Sequence, residues 1–297
     1  MIQSSITKMP PKILPKSQLH DLLQKLSKDF TVFTPKKKGS TFEFDFFNEN
    51  EQDFTLYQNT RVPPKKLLFP QNEVLFSFKK SQEGVEINEP IEPEGKQIVF
   101  GIRNCDTRSF KILDIFFSSG KYSDPYYFKR RNRTIFIGLA CNTPFSTCFC
   151  TAVGGDPHSS EGYDVLFADI GDSYIVHAIS ELGASLSEFL QDYPNAKKKD
   201  LQIQENLGDN ARKSIAFKSN LENIDKDLDL LFNNDLWSEI TQSCLSCGSC
   251  SFICPTCHCF DVQDEETKTE GQRVRLWDHC QSSIFTLETS GHNPRKS

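Results

Sequence analysis

The chain reads as an α+β protein. A mixed α/β region is predicted over residues 1–215, and an α-helical ferredoxin module over 216–297. Three observations predict this. Short apolar runs bounded by turn residues recur between residues 97 and 178. A helical period replaces them after about residue 183. Residues 244–255, CLSCGSCSFICP, then set four cysteines at C-x2-C-x2-C-x3-C, with a proline directly after the last.

Residues 1–40 are polar, proline-containing and locally basic, and Lys36, Lys37, Lys38 and Gly39 read as a solvated turn. Residues 42–47, FEFDFF, alternate apolar and acidic, the pattern of a half-buried strand. Residues 97–102 and 134–139 read as short buried strands. So do 165–170 and 174–178, which flank a Gly171-Asp172 turn signal. Residues 107–118 carry Phe110, Leu113 and Phe117 at helical spacing. Leu221, Ile224, Leu228 and Leu231 repeat at three and four, and Leu236 and Ile240 continue the face. The predicted helix leads straight into Cys244. No internal repeat is visible.

Charge and composition exclude several classes. A net charge of −6 offers no basic field for nucleic acid. No stretch approaches the roughly 20 apolar residues that span a bilayer. The first residues, MIQSSITKMPPKILPKS, lack the apolar segment of a secretory signal, so a cytoplasmic location is expected. Phenylalanine, with 25 copies against two Met and two Trp, is the expected bulk of the core.

The 11 cysteines fall into two groups. Cys105, Cys141, Cys148 and Cys150 lie in the middle; Cys244, Cys247, Cys250, Cys254, Cys257, Cys259 and Cys280 lie near the end. Reducing compartments disfavour disulfides, and grouping of this kind favours metal. In the run at Cys244, Cys247, Cys250 and Cys254, two-residue gaps let a tight loop turn three thiolates onto one 4Fe–4S cluster. Pro255 fixes the exit of the chain. Structural zinc usually takes two ligand pairs about a dozen or more residues apart, unlike this packed run. Overlapping C-x-x-C units also have no evident use as a redox dithiol. In two-cluster ferredoxins the fourth cysteine serves the other cluster. Cys254 would then need partners, and Cys257, Cys259 and Cys280 are available either to complete one cluster or to help build a second.

The middle cysteines sit in FGIRNCDTRSF and GLACNTPFSTCFCTAVGGDP. Cys105 and Cys141 each follow a strand-like run, and Cys148 and Cys150 are one residue apart. Four thiols at strand ends and loops, beside Pro144, Gly154 and Gly155, fit a four-cysteine cluster site. Buried free cysteines are the alternative. Arg103, Arg108, Arg130, Arg131 and Arg133 surround them in sequence, as a solvated basic face or as cations beside an anionic cluster. His258 and His279 adjoin cysteines and are read as neighbours of the site rather than ligands. Asp261, Asp264, Glu265 and Glu266 read as a solvated or partner-facing acidic stretch. No dinucleotide or phosphate-loop fingerprint, catalytic triad or carboxylate pair stands out, so no catalytic site of the chain's own is expected.

Six stretches carry a family resemblance: PPKKLLFPQNEVLFSF (63–78), GIRNCDTRSFKILD (101–114), CNTPFSTCFCTAVGGDP (141–157), GYDVLFADIGDSYIVHA (162–178), CGSCSFICPTCHCFDVQDE (247–265) and RLWDHCQSSIFTLETSGHNPR (275–295). On these the chain resembles the 4Fe–4S dicluster proteins. These are the iron–sulfur beta subunits of cytosolic nickel–iron (sulf)hydrogenases and the A subunit of anaerobic sulfite reductase. The resemblance implies an electron-transfer subunit with one 4Fe–4S cluster in the first region and one or two in the last. It implies two partners, an FAD/NAD(P)-binding reductase subunit and a nickel–iron hydrogenase or siroheme sulfite reductase subunit. The family continues past HNPR to a second cysteine run, from which this sequence departs, so a single cluster in the last region and a chain that continues beyond Ser297 are the alternatives. The competing reading is a zinc-stabilised assembly or interaction protein without redox activity.

Overall fold

The structure, a computed structural model, describes residues 9–50, 57, 59–91, 93–218, 221 and 224–294. The chain divides into two compact units. One comprises Met1–Phe69 with Pro93–Lys218, the other Pro70–Glu92 with Ser219–Ser297.

The elements follow from residue spacing. β1 (Lys12–Pro15) leads into α1 (Leu19–Leu26), whose Leu19, Leu22, Leu23 and Leu26 recur at helical spacing and are all buried. Each such leucine contributes about 1.5–3 kcal/mol by leaving water. β2 (Thr31–Lys38) and β3 (Thr41–Phe46) form a hairpin. Lys36, Lys37 and Lys38 therefore end a strand rather than form the expected turn. Lys38 reaches Asp45 at 3.2 Å across the hairpin. β4 (Asn72–Ser81) and β5 (Gly84–Asn88) belong to the other unit.

The first unit resumes with β6 (Gln97–Ile102), α2 (Asn104–Ser118), α3 (Pro125–Asn132) and β7 (Thr134–Leu139). β8 (Val165–Asp169) and β9 (Ser173–Ala178) follow. The sheet runs β1-β9-β8-β7-β6-β2-β3, with β2, β6, β7 and β8 parallel and the outer pairings antiparallel. Every residue of β6 and β7 is buried, as expected of parallel strands covered on both faces. Alternate side chains serve opposite faces. Ile98 and Phe100 join the cluster of α1, while Phe136 stacks on Phe110 of α2 at 4.9 Å. Phe44, Phe69, Phe100, Phe110, Phe136 and Phe167 are fully buried, so phenylalanine supplies much of the core. Gly138 of β7 has no room for a side chain, since a Cβ there would lie 2.3 Å from the Tyr163 ring. Three helices complete the unit, α4 (Glu181–Ala184), α5 (Ser187–Leu190) and α6 (Lys198–Ser214).

The second unit holds α7 (Ile224–Leu231), α8 (Leu236–Thr241), α9 (Ser249–Ile253), β10 (Phe260–Glu266) and β11 (Glu270–Trp277). Its sheet is antiparallel, in the order β10-β11-β4-β5. The expected all-helical module is thus corrected over 260–277, where two strands form a hairpin on β4. The acidic residues read as a solvated or partner-facing stretch lie on β10 and are exposed, Asp264 pairing with Arg273 at 2.7 Å and Glu266 with Lys80 at 2.5 Å. Arg275 and Glu73 form a buried ion pair joining β11 to β4, with Nε to Oε2 at 2.9 Å. The helical period at 224–240 is present but is broken into α7 and α8, with Ile224, Leu228, Trp237 and Ile240 exposed. Among the described residues, no helix is long and apolar enough to cross a membrane.

Candidate metal centres

The middle cysteines meet at the carboxyl ends of β6 and β7, the position where open parallel sheets place ligands. The two strands end level, with Ile102 paired to Gly138. Past β6 comes Arg103, and Cys105 lies in the first turn of α2. Past β7 come Ala140 and Cys141, held by Ala140 N–H to Phe167 O and Cys141 N–H to Pro157 O, both 2.9 Å. Parallel strands are usually joined through a helix. The link from β7 to β8 instead carries three cysteines and one short 3-10 turn, Cys150–Val153. Within it, Phe145 N–H donates to Cys148 Sγ at 3.2 Å, and Cys148 N–H donates to Phe145 O at 3.0 Å.

Side chains from two helices hold this link in place. Arg108 of α2 donates to the carbonyls of Val153 and Gly154, both at 2.8 Å. Thr107 Oγ1 donates to Glu161 O at 3.1 Å. Arg212 of α6 pairs with Asp156, whose other oxygen accepts from His158 N–H at 2.7 Å. Burial works to raise the Asp156 carboxyl, but the hydrogen bonds from Arg212 and His158 hold it below its ordinary range.

A cavity of about 240 Å³ opens at this place, lined in part by Cys105, Cys141, Cys148, Arg103 and Tyr57. Cys150 is not on its wall but lies within electrostatic reach of Cys141, Cys148 and Cys105. Three of the four predicted residues, Cys105, Cys141 and Cys148, thus share one cavity wall, and Cys150 opens the short 3-10 turn that follows Cys148. Burial pushes up the thiols of Cys105, Cys141 and Cys150, and each is raised further by neighbouring thiols. Cys105 presents its surface to the cavity, so it is exposed there although protein surrounds it. The Tyr57 hydroxyl is buried without a hydrogen-bond partner among the described residues.

The arginines divide. Arg103 is buried and donates to Leu139 O at 2.8 Å, Ala140 O at 2.9 Å and Tyr57 O at 2.7 Å. Arg130 is also buried and donates to Leu68 O at 3.4 Å. Arg131 pairs with Asp114 at 3.2 Å. A solvated basic face does not describe Arg103 or Arg130.

The C-terminal cysteines form a different kind of site. Cys244 follows α8, with its N–H on Thr241 O at 2.9 Å. The chain then turns tightly. Ser246 has φ 53, and Gly248 has φ 70. A Cβ on Gly248 would lie 2.7 Å from the His279 ring, so glycine is required twice over. Cys250 lies in α9, and Cys254 ends it in extended backbone before Pro255. Cys244, Cys247 and Cys250 are exposed. Ser246 N–H donates to Cys244 Sγ at 3.4 Å, and Cys250 Sγ–H to Gln281 Oε1 at 3.3 Å. The hydroxyl and N–H of Ser249 hold the Cys247 thiol below its ordinary range.

Cys254 has its own partners. Its sulfur lies 3.1 Å from Thr256 Oγ1 and hydrogen-bonds with Cys257. Burial raises the Cys254 thiol, but these hydrogen bonds more than offset it. The hairpin register, Phe260 opposite Trp277, brings Cys259 against Cys280. Burial and Cys280 push the Cys259 thiol up. Sequence reasoning did not see the Cys259–Cys280 contact, because it depends on a hairpin read as helix. Nor did it single out Arg103 from its neighbours or find Tyr57. The Arg103-x-Cys105 spacing was the available signal.

Two tests of fit follow from these arrangements. Among the described residues, no three Cys, His, Asp or Glu side chains converge closely enough to hold a single ion. The middle thiols surround a space instead, and soft thiolate donors around a cavity suit a cluster better than one tetrahedral zinc. Backbone N–H groups are directed at Cys148 and Cys244, the kind of hydrogen bond that tunes the sulfurs of iron–sulfur proteins.

Comparison with known proteins agrees with this donor set. A family model described as a 4Fe–4S dicluster domain matches residues 243–297. The sulfhydrogenase 2 subunit beta of Pyrococcus furiosus is 30% identical over 266 residues, covering 89% of this chain and 77% of the relative. No solved structure matches the chain. The run and the matched domain define an iron–sulfur protein of the dicluster class. Within that class the chain belongs to the family of sulfhydrogenase beta subunits.

Proposed function

We propose that the chain is an electron relay with one 4Fe–4S site in the first unit and one or two in the second. The observation that carries this is the cavity shared by Cys105, Cys141 and Cys148, with Cys150 two residues further along the same link, in a chain that already bears the C-x2-C-x2-C-x3-C run. A 4Fe–4S cluster bound by such thiolates supplies one-electron transfer. The chain's residues supply the thiolates, the buried cation Arg103 and the N–H groups aimed at sulfur. Cys244, Cys247, Cys250 and Cys254 would serve the second unit, where α8 precedes the run and α9 lies within it. Cys257, Cys259 and Cys280 would complete a single cluster there or help to build a second.

The reading extends to partners. An FAD/NAD(P)-binding reductase subunit would exchange electrons with the relay, and a nickel–iron hydrogenase or siroheme sulfite reductase subunit would stand at its other end, in the cytoplasm. Membership among sulfhydrogenase beta subunits supports the hydrogenase partner. No nucleic acid takes part, given the net charge of −6.

The test is to purify the chain without oxygen and measure iron, acid-labile sulfide and broad visible absorption. Roughly eight or more irons per chain with equal sulfide are expected from two clusters or more. Stoichiometric zinc without sulfide would overturn the reading in favour of a zinc-stabilised assembly protein.

A further inference from the structure

The five arginines near the middle cysteines are not equivalent. Arg108 is occupied with Glu161 and with the turn at Val153 and Gly154. Arg131 bonds Asp114 at 3.2 Å, and Arg133 bonds Pro93 O. Arg130 donates to Leu68 O, outside the cavity lining. Arg103 alone among the five lines the cavity. Its guanidinium lies 4.6 Å from the centre of the Tyr57 ring. One nitrogen spans the carbonyls of Leu139 and Ala140, the two residues that precede Cys141, and the other reaches Tyr57 O. The side chain also hydrogen-bonds Cys141, and its charge is felt at Cys105.

We propose that Arg103 is the charge-balancing and positioning residue of the middle site, holding the Cys141 sulfur and favouring the reduced state of a cluster bound there. The inference rests on the electron-relay reading above. Its physics is direct. A thiolate-bound cluster is an anion, and burying an anion without a nearby cation is costly. Reduction adds another negative charge. A guanidinium cannot give up its proton in a protein, so its charge is fixed. Three carbonyls and an aromatic face fix its place. A hydrogen bond to a ligand sulfur also withdraws electron density from the iron, which moves the potential in the same direction. Lysine would keep the charge but lose the planar fork that serves three carbonyls and a sulfur at once.

The test uses the full chain, purified without oxygen, with Arg103→Gln and Arg103→Lys. Iron and sulfide are counted, and each reduced-cluster signal is followed by electron paramagnetic resonance during titration with dithionite. The middle-site signal is the one abolished by Cys105→Ser with Cys141→Ser. In Arg103→Gln, the reduced-to-oxidised ratio at a fixed potential should fall at least tenfold, about 59 mV for a one-electron couple. Arg103→Lys should fall less, in the same direction, and the C-terminal signals should not move. An Arg103→Gln protein with an unmoved middle midpoint overturns the inference, whether its iron is full or reduced, because a purely structural role lowers iron alone. If Arg103→Gln does not fold, Arg103→Lys decides. A lowered midpoint supports the inference, and an unmoved one overturns it. If the double serine variant loses no iron from the wild-type count, the middle site itself is refuted and the inference with it. That failure is distinct from an occupied site whose potential ignores Arg103.

Discussion

The two cysteine sites achieve the same donor chemistry by opposite means. In the middle site, the thiols come from the first turn of α2, past β6, and from the long link past β7, and the parallel pairing of β6 with β7 sets these side by side. Burial raises three of those thiols. In the C-terminal site, Cys244, Cys247 and Cys250 lie within one tight turn and one short helix and remain exposed, and Cys247 is held below its ordinary range. The first site depends on tertiary structure; the second depends on a few backbone angles. The largest test of this contrast exchanges serine for cysteine in each region. Cys105→Ser with Cys141→Ser should remove about four irons per chain and leave the C-terminal share. Cys247→Ser with Cys250→Ser should do the reverse. A variant in one region that strips iron from both would show that the sites do not load separately.

The next largest effect concerns the scaffold of the second unit. Arg275 and Glu73 are each 3% exposed and joined only through the sheet pairing of β11 with β4. Removing one partner leaves a buried charge, so Arg275→Met should destabilise this unit by about 3–5 kcal/mol. Arg275→Met with Glu73→Leu should recover most of that loss. Urea unfolding of the three proteins checks it, and a double variant no better than the single would refute the pairing. The unit includes residues 70–92, far from the cysteine run in sequence, so even the local site rests on a distant segment.

How much of this was legible in the sequence follows the same contrast. The strands β6 and β7 announced themselves because, after Gln97 and Thr134, which bond each other at 2.7 Å, every residue in them is apolar or glycine and is buried. The C-terminal run was legible because its ligands are sequence neighbours. β10 was not. FDVQDEE carries two apolar residues, Phe260 and Val262, followed by polar ones at every position, and its exposed faces left no period to read. With the hairpin missed, the Cys259–Cys280 contact was missed too. The role of β4 and β5 was equally hidden, since nothing local in the stretch 72–88 says which unit it joins. Arg103 looked like its four neighbours until the sheet put it under the cavity and left Arg108, Arg131 and Arg133 occupied elsewhere.

A smaller effect isolates the backbone geometry. Gly248→Ala places a Cβ in left-handed backbone and against the His279 ring. The cost should be about 1–3 kcal/mol, confined to the run. Iron should be lost from the C-terminal share alone, read by the same counting. Unchanged iron in both shares would show that the turn at Gly248 does not set that site.

The smallest expected effect tests the tertiary side of the contrast. Asp156 lies in the link from β7 to β8 and pairs with Arg212 of α6, both partly exposed. Burial works to raise the Asp156 carboxyl, and Arg212 and the His158 N–H outweigh it, so the group sits below its ordinary value. A lowered carboxyl contributes stability that is present above its unfolded value, about 3.9, and is lost as pH falls through the folded value. Asp156→Asn removes that contribution at every pH. The variant should therefore trail wild type at pH 7 by under about 1 kcal/mol, the scale of a half-exposed ion pair. The two should converge as the pH drops below the folded value, where wild-type Asp156 is itself neutral. Urea unfolding at pH 7 and at acid pH reads both numbers. A gap that widens toward acid would mean that Asp156 is not stabilised as the anion, and that the link bearing Cys141, Cys148 and Cys150 is tethered to α6 by something other than charge.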